Sequence, residues 1–291
     1  MNIILDALKD TLIVFPFILI IYVLIELLEN GSSLHRGRSS LQGPIAPVVG
    51  AATGIIPQCG FSVMAAKLYD KGLIRTGTMI AVFLATSDEA LIILLVNSPL
   101  SAAAAQSILP LIVIKLAVAI AAGYIINAII PDKNCETTPL YTPEGEAYSC
   151  GREHHGKTTV NIYLLEPLLH ALKVTAYILI VNLVFGFIIA EIGEETIAAG
   201  LIGGTYFQPF ITAAVGLIPN CASSTIITET YVQGGILFGS CVAGLCTNAG
   251  LGLIVLMKNT KKIKRNVLIL VSMYAISVLV GILTNIIAAL L

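Results

Sequence analysis

Pro47-Val-Val-Gly-Ala-Ala-Thr-Gly-Ile-Ile-Pro57-Gln58-Cys59-Gly60-Phe61-Ser62 is written a second time, with changes, as Pro209-Phe-Ile-Thr-Ala-Ala-Val-Gly-Leu-Ile-Pro219-Asn220-Cys221-Ala222-Ser223-Ser224. The offset is constant, since 209−47, 219−57 and 221−59 all equal 162. The identities include Pro47/Pro209, Gly54/Gly216, Pro57/Pro219, Cys59/Cys221 and Ser62/Ser224, and run on to Tyr69/Tyr231, Gly72/Gly234 and Gly77/Gly239. In a membrane protein, an apolar segment that is broken by Pro and Gly and occurs twice is the best sequence pointer to a transport site.

The surrounding chain is that of a membrane protein. Of its 291 residues 57% are hydrophobic and only 11% charged, with a mean hydropathy of +0.93. Soluble domains carry about 25% charged residues. A net charge of −1 gives nucleic acid nothing to bind. Leu12–Leu28 lacks a basic leading region and a small-residue cleavage site, so it reads as a retained helix. Trp is absent, which leaves the interfacial belt to the ten Tyr.

Apolar stretches of about 20 residues cross a bilayer as helices. The sequence predicts full spans at 8–28, 73–96, 107–130, 167–190, 235–257 and 265–289. Segments 44–66 and 207–229 are also apolar, but Pro57 and Pro219 interrupt them. Each is either a kinked span or a re-entrant hairpin of two half-helices.

Charge favours the hairpin. Lys and Arg collect in short cytoplasmic loops. Basic loops at His35–Arg38 and Lys67–Arg75 flank the first segment on both sides, so it enters and leaves on one face. The equivalent loops of the second half, Glu191–Glu195 and Tyr231–Gly235, hold no Lys or Arg. Asn97–Gln106 is uncharged while its counterpart, Lys258–Arg265, is strongly basic. The expected fold is all-α and integral to the membrane, an inverted-topology repeat. Each half has three full spans, one re-entrant helical hairpin and a discontinuous span. Residues 1–130 form the first repeat, 131–160 a cytoplasmic linker and 161–291 the second, inverted repeat, with both termini outside the plasma membrane. Further matches join Ala7-Leu8-Lys9 to Ala171-Leu172-Lys173, and Leu84-x-Thr86 to Leu245-x-Thr247 at offset 161.

Two re-entrant tips meeting near the midplane form the candidate site. Gln58, Cys59 and Gly60 make one tip, and Asn220 and Cys221 the other. The half-helix starting near Gly60 aims N–H groups at an oxygen-bearing substrate. Ser62, Ser223, Ser224 and Thr225 add hydroxyls. Cys59 and Cys221 occupy equivalent places and favour soft or borderline ions. Cys241 and Cys246 do not share one helical face. Asp88 and Glu89 lie inside a span, where charges are costly and carry ions or protons. The polar breaks Thr86-Ser87 and Thr247-Asn248 make both spans discontinuous, and these four residues are expected to bind substrate together with the tips. Lys115, two turns into its span, is expected to reach the interface. His170, Lys173, Glu26 and Glu229 are expected to be interfacial. Cys135, Cys150, His154 and His155 in the linker fit no standard zinc spacing.

On these residues the chain resembles the ten-transmembrane heavy-metal exporters, also labelled arsenic efflux proteins or manganese transporters. Ile56–Ser62, Ile218–Ser224, Ala85-Thr86-Ser87-Asp88-Glu89-Ala90 and Gly244–Gly250 carry the resemblance. It implies a metal or metalloid transporter. The expected function is secondary export driven by protons or membrane potential, with no cofactor and no enzymatic activity. There is no P-loop for nucleotide hydrolysis. Cys59, Cys221, Asp88 and Glu89 are the expected metal ligands, with Asp88 or Glu89 alternating between proton and substrate. A homodimer suits a layout that works against a fixed scaffold. An intramembrane lipid-phosphate enzyme, an organic-anion transporter and a passive channel are the alternatives.

Overall fold

The computed structural model describes residues 43–57, 60–70, 72–86, 90–97, 102–130, 166–202, 207–258 and 263–290, and seven positions from Leu8 to Ile20. Among the described residues the chain is helical and contains no strand. The helices are α1 (Ala46–Gly54), α2 (Gly60–Asp70), α3 (Thr76–Ala85), α4 (Ala90–Asn97), α5 (Ala102–Ile129), α6 (Glu166–Ile192), α7 (Glu194–Ile202), α8 (Gln208–Gly216), α9 (Cys221–Val232), α10 (Phe238–Thr247), α11 (Leu251–Met257) and α12 (Ile263–Leu290). The 131–160 linker and most of the first span lie outside the described residues.

Four stretches are long and apolar enough to cross a membrane: Thr76–Asn97, Ala105–Ile129, Ala171–Ile188 and Ile263–Leu290. A fifth is α10 with α11, bent by 41° at a short break. The outer faces of α5, α6 and α12 are apolar, with Leu109, Ile180 and Leu279 among their exposed residues. By contrast α3 and α10 are almost wholly buried and lie at the centre, touching each other.

The proline-broken segments become two short helices each. Pro47 and Pro209 sit in the first turns of α1 and α8, where a missing N–H costs nothing. Both helices stop after nine residues, ahead of Pro57 and Pro219. Nine residues rise about 14 Å, under half of the roughly 30 Å hydrocarbon core.

The two halves repeat the same close contacts. A Cβ on Gly54 would lie 2.5 Å from the Val82 oxygen, and one on Gly216 2.1 Å from the Gly244 oxygen. The Gly77 N–H donates to Asn127 Oδ1 at 2.9 Å, and the Gly239 N–H donates to Asn285 Oδ1 at 2.9 Å. These glycines let α1 and α5 approach α3, and α8 and α12 approach α10, backbone to backbone. Helices α3 and α10 begin and end in register at offset 162, so the C-cap Thr86 corresponds to the C-cap Asn248. Structural register thus replaces the Thr86/Thr247 pairing of the sequence alignment by one residue. In α5 and α12 the offset is 158, from Asn127 to Asn285.

Two local readings change. Glu191–Glu195 is a tight corner and not a loop: α6 runs to Ile192, Gly193 turns at φ +84°, and α7 starts at Glu194. Glycine adopts that left-handed conformation without a Cβ clash. Helix α7 itself lies outside the expected spans.

The halves exchange arms. Helix α2 of the first half packs on α11 of the second, and α9 of the second packs on α4 of the first. At the ends of those arms the equivalent tyrosines each meet the other half. The Arg265 guanidinium stands 5.5 Å from the Tyr69 ring centroid and donates to Thr76 Oγ1 at 2.7 Å. The Tyr231 hydroxyl bonds Ser107, the 158-offset counterpart of Arg265. The two latches differ in strength, because only one carries a charge. Arg265→Met should lower Tm by about 4 °C, the loss expected from a cation–π contact plus a charged hydrogen bond. Ser107→Ala should cost less than half of that in the same thermal unfolding followed by circular dichroism. Equal shifts would show the latches to be equivalent.

Candidate functional site

Each tip is the start of a helix. Helix α2 begins at Gly60 and α9 at Cys221, immediately after Pro57-Gln58-Cys59 and Pro219-Asn220. Asn220 is extended (φ −142°, ψ 145°) and caps α9, its side chain accepting from the Ala222 N–H at 3.1 Å. The cap commits the Asn220 oxygen to the backbone. Ser223 donates to the Asn220 and Ile218 oxygens at 2.7 and 3.0 Å. Ser224 and Ser62 are buried. Ser62 lies against Gly252 of α11, where a Cβ would come within 2.7 Å of the Ser62 Cβ.

The break between α10 and α11 is built by Asn248 and Gly250. Buried Asn248 accepts from the Gly250 N–H at 2.9 Å and donates to Ser223 Oγ at 3.3 Å. Gly250 turns at φ +53°, ψ −139°, a conformation a side chain resists. Asn248 thereby ties the broken span to the tip of α9. Thr86 and Thr247 turn their hydroxyls back to the Val82 and Ala243 oxygens of their own helices, at 2.8 and 2.7 Å.

Lys115 is where sequence reasoning fails most clearly. It does not reach the interface; it is fully buried. Its ammonium donates to the Thr86 carbonyl, at the end of α3, and to the Leu245 carbonyl, in the last turn of α10, at 2.8 Å. The helix starts at Ala102, not 107, so 13 residues precede Lys115 and 14 follow it to Ile129. Either end is about 20 Å away, beyond any lysine side chain. The signal is present in the sequence: Lys115 is the one charged residue of a 28-residue helix.

The structure therefore brings Asn220, Ser223 and Asn248 together, and joins Thr86 to the second half through Lys115. Gln58, Cys59, Ser87, Asp88 and Glu89 lie outside the described residues, as does the Cys221 side chain. Among the described residues no cluster of three His, Cys, Asp or Glu is positioned to hold a metal. Cys241 and Cys246 are buried and free. Lys173 and Glu229 are exposed. Apart from the Lys115 ammonium, the polar groups described around these helix ends are neutral: hydroxyls, amides and helix-end carbonyls.

A family model described as "Putative, 10TM heavy-metal exporter" matches residues 1–166, more than half of the chain. No curated protein and no solved structure matches it.

Proposed function

Because the chain belongs to that family of heavy-metal exporters, we propose that it is a secondary transporter exporting a metal or metalloid ion by alternating access. The inverted halves, 1–130 and 161–291, meet at two re-entrant tips, and the 131–160 linker lies in the cytoplasm. Cys59 and Cys221 hold the substrate beside Gln58, Asn220 and the hydroxyls of Ser62, Ser223 and Ser224. Asp88 or Glu89 alternates between proton and substrate. The observation that carries the reading is the exchange of arms, α2 onto α11 and α9 onto α4. A site built from both halves changes when one half moves against the other. Duplicated, discontinuous helices meeting at such a place are the usual architecture of transport sites.

The lipid-phosphate enzyme is the weaker reading. It needs a cationic clamp on phosphate. The buried cation Lys115 donates to the Thr86 and Leu245 carbonyls at the ends of α3 and α10.

Ion flux in proteoliposomes tests the proposal, with manganese, zinc, cadmium and arsenite screened with and without a pH gradient. One of these ions should move, driven by the gradient. Cys59→Ser with Cys221→Ser should reduce that flux at least about tenfold, the effect of roughly 1.4 kcal/mol at the rate-limiting step. Normal flux in the double variant would remove the thiols from the site. Absence of flux for every ion would overturn the metal reading.

A further inference from the structure

Lys115 is the one charged side chain among the described buried residues. A lysine in the middle of a spanning helix is costly unless it is paired, and such residues mark functional places. Two of its acceptors have an unusual common origin. The Thr86 carbonyl caps α3, and the Leu245 carbonyl belongs to the last turn of α10. Beyond Leu245 the backbone does not close a further helical turn, since the Ala249 N–H donates to the Thr247 oxygen at 3.0 Å. Helix ends leave such carbonyls without intrahelical donors, and they form the negative pole of the helix. Carbonyl oxygens converging from broken helices are also how membrane proteins bind alkali cations, replacing the hydration shell.

Helix α3 belongs to the first half and α10 to the second, so one ammonium bridges the two central broken spans. The bridge is not duplicated. At offset 158 the counterpart of Lys115 is Met273, which is also fully buried. A methionine is therefore accommodated at the equivalent place in the other half.

We propose that Lys115 is a tethered cation whose ammonium fills a carbonyl site for a monovalent cation between the ends of α3 and α10. With the lysine present, the protein needs no free alkali ion to hold these ends together. With the lysine removed, sodium or potassium takes the position.

The test is thermal unfolding of the purified full chain, followed by circular dichroism, in sodium, potassium or choline chloride at equal ionic strength. Wild type should melt at the same temperature in all three. Lys115→Met should melt several degrees lower in choline and regain much of the loss in sodium or potassium. Lys115→Gln keeps N–H donors without the charge and should show the same salt response. Salt-independent melting of both variants would overturn the proposal, leaving Lys115 a plain hydrogen-bond donor. Stabilisation of wild type by sodium or potassium over choline would also overturn it, because the site would then be open already. Failure of both variants to fold in any of the three salts would do the same, since the proposal requires a free cation to stand in for the ammonium. Transport plays no part in this readout, so it stands apart from the flux experiment.

Discussion

Gly239→Ala and Gly77→Ala are each expected to leave little folded protein. A Cβ on Gly239 would lie 2.3 Å from the Gly281 oxygen and 2.5 Å from Asn285 Oδ1. On Gly77 it would lie 2.1 Å from the Gly123 oxygen and 2.6 Å from Asn127 Oδ1. The nearest obstacle is backbone in both cases, so no rotamer change relieves it. The helices must move apart, which also breaks the 2.9 Å bond from the glycine N–H to its asparagine. Overpacking alone costs about 1–3 kcal/mol, and a lost buried hydrogen bond adds about 1–3 kcal/mol. A sum of about 4 kcal/mol is a large part of the roughly 5–15 kcal/mol by which folded proteins are ordinarily stable. Gly200→Ala is the control. Nothing lies within 4 Å of its added Cβ, and the residue is in α7. Alanine should be neutral there or stabilising by about 0.5–1 kcal/mol. The monodisperse fraction after solubilisation reads all three. Normal yield of the Gly77 and Gly239 variants would mean that these helices are not packed so closely.

Asn248→Ala should fold but transport poorly. Its side chain accepts from the Gly250 N–H and donates to Ser223 Oγ. Losing both bonds in a buried place costs about 1–3 kcal/mol, which a protein of ordinary stability survives. The consequence for transport is larger in proportion, because the same two bonds hold the bend of α10 and α11 against the tip of α9. If passage depends on that bend, a shift of about 1.4 kcal/mol between its arrangements changes the rate tenfold. Flux should fall about tenfold or more by that measure, with Tm lowered by only about 3–8 °C. Flux within about twofold of wild type, a difference of under roughly 0.5 kcal/mol, would remove Asn248 from the working part of the site.

Much of the local structure is legible from residue types. Pro57 and Pro219 mark the ends of short helices because proline cannot continue a hydrogen-bonded helix. Gly60 and Cys221 begin the next ones, and the polar Thr86 and Thr247-Asn248 mark where α3 and α10 stop. Pairing Thr86 with Thr247 is off by one residue because it follows identity, whereas the caps decide the register. Gly193 carries a turn signal, but a single glycine does not tell a longer loop from a sharp corner with a short helix behind it.

The sequence by itself determined the helical class, the twice-written Pro-Cys motif and most of the places where helices break, because those can be read from residue types along the chain. Tertiary structure alone decided the partners. Lys115 reaches Leu245 across 130 positions, Arg265 reaches Thr76 across 189, and Tyr231 reaches Ser107 across 124. Such contacts depend on which helix faces meet, and two halves that exchange arms bring together residues whose own neighbourhoods give no sign of each other. A lysine in an apolar helix is costly wherever it lies. Only the packing shows that the ends of two broken helices receive it.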